Sequence, residues 1–253
     1  MIVCVGVATR DTIYVVPKHP DPDDRVVASE RVLAGGGPAA TAAVTIARLG
    51  VEARFVGVIE GDLDGVEVVP VPGRMVDSTI LVGDGTRTII TTQGEPPAVP
   101  PGALAGAEWV HVDHLGYASL QSVRHEADAS SRVSVDASNP IDDLSLEGVD
   151  LYGPSEKTDD GRRAPLTVVT RGERGCVAYT DDETIEVPGV PVDAVSTLGA
   201  GDVFHGALLA CFSRGLGLHD SLVRANACAA LSCRGLDGRS AIPTWDELEA
   251  SLA

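Results

Sequence analysis

The segment STLGAGDVFHGALL, at residues 196–209, combines residue types that can handle a negatively charged group. Gly199 and Gly201 permit backbone conformations and close approaches that a Cβ would prevent. The apolar run that follows predicts a helix, whose first N–H groups are free to bind an anion. Asp202, at the same turn, could accept the proton of an attacking hydroxyl group. The segment therefore suits phosphoryl transfer, although an ordinary capped helix after a tight turn would carry the same residues.

A second glycine-rich segment, GGGPAAT at residues 35–41, precedes another apolar run that predicts a helix. The paired glycines Gly36 and Gly37 could act as a hinge and let a polyol approach the backbone. A plain strand-to-helix turn is the alternative. Asp11 directly follows the first apolar run, where its carboxylate could bind sugar hydroxyls or simply occupy a turn.

Other polar features carry less chemical information. Asp113 and His114 follow an apolar run, where they could touch a substrate or start a loop. His205 lies three residues beyond Asp202, within the first helical turn, and we expect it to be packed or half-exposed rather than catalytic.

The composition restricts the partners and the compartment. The chain has 253 residues and a net charge of −18, which disfavours nucleic acid and anionic membranes as partners. Its five scattered cysteines indicate buried apolar side chains in a reducing compartment rather than disulfides. The sequence has no run of about 18 apolar residues, and its N-terminus lacks the features of an export signal. We therefore expect a cytoplasmic protein.

Apolar strands alternate with helices along most of the sequence, which predicts a layered α/β domain with a mostly parallel sheet. Two polar β-like regions, at about residues 11–34 and 70–94, interrupt this alternation. The second region contains a hairpin signal, two β-like runs around GDGT. Within a single domain spanning residues 1–253, we expect the two regions to form a small sheet that acts as a hinged lid.

Ligands of open α/β sheets bind beyond the carboxyl ends of the strands. Residues 9–11, 35–38 and 196–202 should therefore converge at that edge. The sequence contains no GxxxxGK[ST] motif, so a P-loop enzyme is excluded. It also lacks GxGxxG after the first strand, which disfavours a dinucleotide-dependent dehydrogenase.

In chain order, Asp11, GGGPAATAAVTIARLG, VVTRGERGC and STLGAGDVFHGALLA together resemble the ribokinase (PfkB) family of carbohydrate kinases. The likeness covers most of the chain, and the two glycine-helix motifs in combination are far more specific than either one. The segments GGGPAATAAV, GAGDVFHGAL and DGRSAIP are most similar to the ketohexokinase-like and sulfofructose-kinase-like branch. The resemblance implies a doubly wound, mostly parallel sheet flanked by helices, with a small β-sheet lid.

The resemblance also implies roles for individual residues. Asp202 would be the catalytic base, and the amides of Gly199, Ala200 and Gly201 would bind the γ-phosphate of ATP. Residues implied on the acceptor side are Asp11, Gly36, Gly37, Thr41 and Arg87. Residues implied on the nucleotide side are Thr170, Gly172, Gly175, Asn226 and Gly238.

The sequence departs from the family pattern in several places. Many relatives have asparagine where Thr41 stands, and an acid where Ser196 stands. The family's NxxE element, which helps to organise Mg²⁺, falls at GPSEKT. One register assigns Glu156 as the metal residue, whereas another pairs Ser155 with Thr158. The chain is also short for the family, with little helical sequence between GDLDG and VEVV or between SEKT and LTVVT.

These observations lead to the hypothesis of a kinase that uses ATP and Mg²⁺ to phosphorylate a hydroxyl of a ketose-like sugar. A nucleoside kinase of the same family is the first alternative, but a base would need aromatic stacking and the lid region offers Tyr14 and little else. A non-catalytic sugar- or nucleotide-sensing module is the second alternative, suggested by the degenerate NxxE element. The exposed strands of the lid would suit a homodimer.

Overall fold

Thirteen strands and five α-helices follow one another in the computed structural model, which describes the backbone of residues 1–253 and every side chain except that of residue 126. The strands are β1 (Ile2–Val5), β2 (Thr9–Val15), β3 (Glu30–Gly36), β4 (Ala53–Gly57), β5 (Glu67–Pro70), β6 (Val76–Gly83), β7 (Thr86–Thr91), β8 (Trp109–Val112), β9 (Arg132–Ala137), β10 (Leu151–Pro154), β11 (Leu166–Thr170), β12 (Cys176–Tyr179) and β13 (Thr184–Val187). The helices are α1 (Pro38–Arg48), α2 (His114–Val123), α3 (Ala200–Ser213), α4 (Leu218–Ser232) and α5 (Trp245–Leu252).

The large sheet has the strand order β13-β12-β11-β10-β9-β8-β1-β4-β5. Neighbouring strands from β11 to β5 are parallel, and β12 and β13 add an antiparallel edge. Side chains of β1, which lies inside the sheet between β8 and β4, alternate between two cores. Ile2 and Cys4 pack on the face covered by α1, α3 and α4, whereas Val3 and Val5 pack on the face covered by α2. Helices thus cover both faces, which confirms the predicted doubly wound α/β architecture.

The small sheet has the strand order β3-β2-β6-β7. Its β6–β7 hairpin turns at Asp84 and Gly85, which have φ values of 50° and 70°, so the turn is of the kind that GDGT predicts. The two polar β-like regions pair with each other through β2 and β6, as expected. One expectation was wrong in detail. Asp11 lies within β2, opposite Ser78, and not in a loop after the first strand.

The two connections in which the chain is short for the family contain little regular structure. Residues 58–66 form bends and turns that lead directly into β5, and residues 158–165 connect β10 to β11 in the same way. The sequence therefore predicted correctly that these connections lack the helices of longer family members. Every described helix is too short or too polar to cross a bilayer.

The Asp113 carboxylate joins three elements at the edge where the strands end. It caps α2 by accepting hydrogen bonds from the N–H groups of Leu115 and Gly116, at 3.0 and 2.9 Å. It also accepts from the N–H groups of Val7, after β1, and Ala39, in α1, at 2.7 and 3.3 Å. The side chain is almost completely buried, so water cannot replace these bonds. Asp113 is therefore a structural cap.

We expect Asp113→Asn to lower the free energy of unfolding by about 3 kcal/mol, because an NH₂ group would face N–H donors and leave them without acceptors. Urea unfolding measures this change. Asp193→Asn, at an exposed position before α3, is the matched control and should leave the stability within about 0.5 kcal/mol of the wild type. Equal effects of the two substitutions would contradict the assignment.

Candidate active site

A cleft of about 720 Å³ lies between the small sheet and the carboxyl ends of the parallel strands. Its walls include residues that directly follow β1, β8, β9 and β10, as expected for an open α/β sheet. The three segments that the sequence predicted to converge all contribute to it. The predicted site residues that line this cleft are Asp11, Gly37, Arg87, Glu156, Thr170, Gly172, Gly199, Ala200, Gly201 and Asp202.

The first turn of α3 forms one wall of the cleft. Gly199 precedes the helix in the left-handed conformation, with φ 71°. A Cβ on Gly199 would lie 3.0 Å from the Cα of Gly238, so a side chain would be strained by the φ value and would crowd the neighbouring backbone. Val203 donates its N–H to the Gly199 carbonyl at 2.9 Å, whereas Ala200 makes only a long bond, 3.4 Å, to Thr197. N–H groups of such a turn lack intrahelical acceptors and can bind an anion.

Asp202 lies at this turn and is partly exposed to the cleft. Burial raises the pKa of its carboxyl well above the ordinary value, and the nearby carboxylates Asp136 and Asp113 raise it further. The cations Arg239 and Arg87 oppose this effect. Because a raised pKa means a higher proton affinity, Asp202 is a stronger base than an exposed aspartate.

Asp11, on β2 of the small sheet, also lines the cleft and is only 4% exposed. The Thr9 hydroxyl donates to its Oδ1 at 2.6 Å. Burial raises the pKa of the Asp11 carboxyl, while the bond from Thr9 and the charge of Arg239 act in the opposite direction. A Cβ on Gly36 would overlap the Asp11 carboxylate, so this close approach requires glycine. The carboxylate is thus held in place and can accept hydrogen bonds from a polyol.

Arg87 connects the small sheet to the turn before α3. Its guanidinium extends from β7 and donates a hydrogen bond to the Thr197 hydroxyl. Both residues line the cleft. The bond places a permanent positive charge in the wall of the cleft, near enough to Asp202 to lower the pKa of its carboxyl.

A second cavity, of about 750 Å³, adjoins the first. Residues common to both are Thr170, Gly172, Thr197, Ala200 and Gly201. The second cavity also has an apolar part, formed by residues such as Val190, Pro191 and Phe204. Gly175 and Asn226, both predicted on the nucleotide side, line it. The Asn226 amide is already engaged, because it donates to the carbonyls of Val187 and Pro188 at 3.3 Å.

Three predicted site residues lie behind the cavity walls. Thr41 is 1% exposed, and its hydroxyl accepts a hydrogen bond from Nε of Arg239 at 3.1 Å. Gly36 is buried, and its carbonyl accepts from Nη2 of Arg239. Gly238 packs against Gly199 and does not line the nucleotide-side cavity. These residues support the walls, and the structure shows no surface by which they would contact a ligand directly.

The NxxE region adopts a closed turn after β10. The Thr158 hydroxyl lies 3.0 Å from both the backbone nitrogen and the hydroxyl of Ser155. Glu156 lines the cleft but forms an ion pair with Arg174. Among the residues that the structure describes, no group of three or more His, Cys, Asp or Glu side chains could hold a metal ion.

Sequence analysis assigned no role to Arg239 and left the role of His114 open. His114 lines the cleft at the start of α2, and its buried Nδ1 has no hydrogen-bond partner among the described residues. Arg239 stands in DGRSAIP, a loop without local periodicity, and its partners Gly36 and Thr41 are distant in sequence. For His114, the position just after a predicted strand was the sequence signal for a site residue. The sequence contains no such signal for Arg239.

The comparisons with known proteins agree with this arrangement. Residues 1–68 and 157–245 match the model of the pfkB family carbohydrate kinases. The ATP-dependent ribose-1-phosphate kinase of Halopiger xanaduensis is 25% identical over the whole chain and 98% of its own length. The fructokinase of Klebsiella pneumoniae is 28% identical over 86% of this chain and 91% of its own length.

Solved structures show the same fold. The ribokinase of Thermotoga maritima has a TM-score of 0.80 and 23% identity, covering 99% of this chain and 98% of that one. The nucleoside kinase of Burkholderia thailandensis, in complex with inosine, has a TM-score of 0.82 and 17% identity. The match covers 99% of this chain and 95% of that one. The chain therefore has the ribokinase-like fold. The chain belongs to the pfkB family of carbohydrate kinases and is an ATP-dependent sugar or nucleoside kinase.

Proposed function

We propose that this kinase transfers the γ-phosphoryl group of ATP to a hydroxyl of a ketose-like sugar. One observation carries the proposal. Asp11 and Asp202 line the same cleft, and the anion-binding turn of α3 lies where this cleft meets the second cavity. An acceptor held by Asp11 and a nucleotide held in the second cavity would therefore meet at Asp202.

In this mechanism Asp202 accepts the proton of the attacking hydroxyl. The N–H groups of Gly199, Ala200 and Gly201 and the positive end of the α3 dipole stabilise the charge on the transferring phosphoryl group. Arg87 adds a positive charge from the small sheet, which would close over the acceptor as a lid. Closure excludes water, which would otherwise take the place of the sugar hydroxyl.

The nucleotide would occupy the second cavity. Its phosphates would lie near Thr170 and Gly172, which line both cavities, and its base would lie in the apolar part beside Gly175 and Asn226. Gly238 would act on this side indirectly, through its contact with Gly199.

Mg²⁺ would be held by Glu156 together with the nucleotide phosphates, because Mg²⁺ in kinases binds one or two carboxylates plus phosphate oxygens. Glu156 is an oxygen donor that lines the cleft, and its carboxylate would exchange the ion pair with Arg174 for the metal ion. The ion would offset the negative charge of the phosphates.

The walls of the acceptor cleft favour a sugar over a nucleoside. Among the described residues that line the cleft there is no phenylalanine, tyrosine or tryptophan on which a base could stack. Tyr14 alternates with Ile13 on β2, so it faces away from the side that carries Asp11. The hydroxyls of Ser78 and Thr91 do line the cleft and would suit a polyol.

The outer side of the small sheet supports a further proposal about assembly. Leu33 and Ile90 are 63% and 64% exposed on β3 and β7. We propose that these side chains pack against a second copy of the chain in a homodimer.

An ADP-release assay tests the substrate class with fructose, sulfofructose, ribose, 2-keto-3-deoxygluconate, ribose 1-phosphate and adenosine. We expect the highest kcat/KM with a ketose. Preference for adenosine would replace the proposal with a nucleoside kinase. Saturable binding without turnover of any acceptor would indicate a sensing module.

Asp202→Asn should lower kcat by about 10³-fold, because the amide cannot accept the proton, while ATP binding stays intact. Steady-state kinetics and calorimetric ATP titration measure the two effects. Asp220→Asn, at an exposed position in the first turn of α4, is the matched control. Near-normal turnover of the Asp202 variant would remove this residue from the mechanism.

The rate should also depend on pH in a defined direction. Asp202 must be ionised to act as a base, and its surroundings raise the pKa of the carboxyl. The acid limb of kcat should therefore lie above the pH at which an exposed aspartate titrates, about 3.9. A profile of kcat against pH measures the limb, and a flat profile down to that pH would contradict the role.

A further inference from the structure

The segment 237–240, between α4 and α5, contacts both halves of the site. The Asp237 side chain accepts hydrogen bonds from the N–H groups of Arg239 and Ser240, at 2.8 and 2.6 Å, and so fixes a tight turn. Gly238 in this turn packs directly against Gly199. The backbone of the segment thus supports the first turn of α3 from behind.

The Arg239 side chain extends from this turn to the acceptor side. Nε donates to the Thr41 hydroxyl at 3.1 Å, and Nη2 donates to the Gly36 carbonyl. Nη1 lies 2.8 Å from where a Cβ on Gly35 would stand, so the guanidinium packs closely against the backbone. One planar group therefore joins the end of β3, the start of α1 and the segment behind α3.

Arg239 also affects the charge balance of the site. Burial lowers the pKa of its guanidinium to about 10, so the group remains a cation at neutral pH. Asp11, Asp202 and Asp237 act in the opposite direction and favour the charged form. In turn, Arg239 lowers the pKa of both Asp11 and Asp202. Burying a charge is costly unless partners compensate it, and here the partners are the two carboxylates that line the cleft.

We propose that Arg239 is a positioning residue that holds the acceptor loop, residues 35–41, against the first turn of α3 and counterbalances the charges of Asp11 and Asp202. The inference rests on the proposed function of this cleft and goes beyond it, since Arg239 itself would not touch the substrate. Its guanidinium sets the distance between the acceptor side and the phosphoryl-binding side.

Three substitutions separate the contributions of geometry and charge. Arg239→Lys keeps the charge but loses the planar fork that reaches both Thr41 and Gly36. Arg239→Gln removes the charge. Thr41→Val removes only one hydrogen-bond acceptor and leaves the cation in place. Arg234→Gln, at an exposed arginine in the preceding segment, is the matched control.

The expected kinetic effects differ between the variants. Arg239→Gln should raise KM for the acceptor by about 10- to 100-fold, the effect of losing a hydrogen bond to a charged group, with KM for ATP within about twofold. Arg239→Lys should raise KM for the acceptor by about tenfold, and Thr41→Val by only a few fold. Arg234→Gln should match the wild type.

The pH profile separates a charge effect from a packing effect. The charged groups that influence Asp202 are Asp136 on β9, Asp113 before α2, Arg87 on β7 and Arg239. Removing Arg239 leaves the two acids opposed by Arg87 alone, so the pKa of Asp202 should rise. The acid limb of kcat should therefore move to higher pH in Arg239→Gln and stay in place in Arg239→Lys.

Hydrogen exchange provides a readout that does not depend on turnover. Amides of residues 35–41 should exchange faster in Arg239→Gln and Arg239→Lys than in the wild type, while those of the large sheet stay unchanged. If no acceptor is turned over by the wild type, the proposed function fails, and the exchange experiment still tests the positioning role.

The proposal would be overturned if the Arg239 variants had a lowered melting temperature but a wild-type KM for the acceptor, a wild-type acid limb of kcat and unchanged exchange at residues 35–41. If Arg239→Gln does not fold, Arg239→Lys and Thr41→Val decide the question through KM and exchange. Normal values for both of these variants would also overturn it.

Discussion

The contact between Gly199 and Gly238 determines where the first turn of α3 lies. Gly199 has φ 71°, and a Cβ on it would lie 3.0 Å from the Cα of Gly238. A side chain at position 199 would be strained by this φ and would crowd the Gly238 backbone, so the close approach of the two segments depends on glycine there. The turn is consequently positioned by backbone packing, which is stiffer than contacts between flexible side chains. The two cavities meet at this turn, so the contact also sets how they are aligned.

Negatively charged groups lie on both sides of the first turn of α3. Asp11 and Asp202 are carboxylates in one cleft, and a phosphate would add more negative charge. Arg239 behind the wall and Arg87 across the mouth supply positive charge without occupying the centre of the cleft. Fixed cations of this kind stabilise charge that develops in a reaction because they need no reorganisation. Two arginines thus offset part of the negative charge around the cleft.

Local sequence signals predicted the parts of the structure that depend on local interactions. GAGD before an apolar run indicated α3, and GDGT indicated the β6–β7 hairpin, because both are set by neighbouring residues. The position of Asp11 within β2 was missed, since the pairing of Asp11 with Ser78 is a tertiary contact. The strands β5, β10 and β13 have four residues each. Segments this short contain too few residues to show the alternation of apolar and polar side chains that predicts a strand. Arg239 was missed because its partner Thr41 is 198 residues away.

Side-chain links of unequal burial connect the small sheet and its junction to the rest of the molecule, among them the exposed ion pair of Arg10 with Glu60. Two others lie at the active-site cleft. Arg87 on β7 donates to Thr197, and Arg239 donates to the Gly36 carbonyl at the end of β3. The first link lies at an exposed tip and competes with water, so breaking it costs little. The second is part-buried, and breaking it would remove one of the two hydrogen-bond partners of a largely desolvated cation. Movement of the small sheet would therefore begin at Arg87, with the end of β3 near Gly36 as the fixed point, because the cost of separation differs between the two ends.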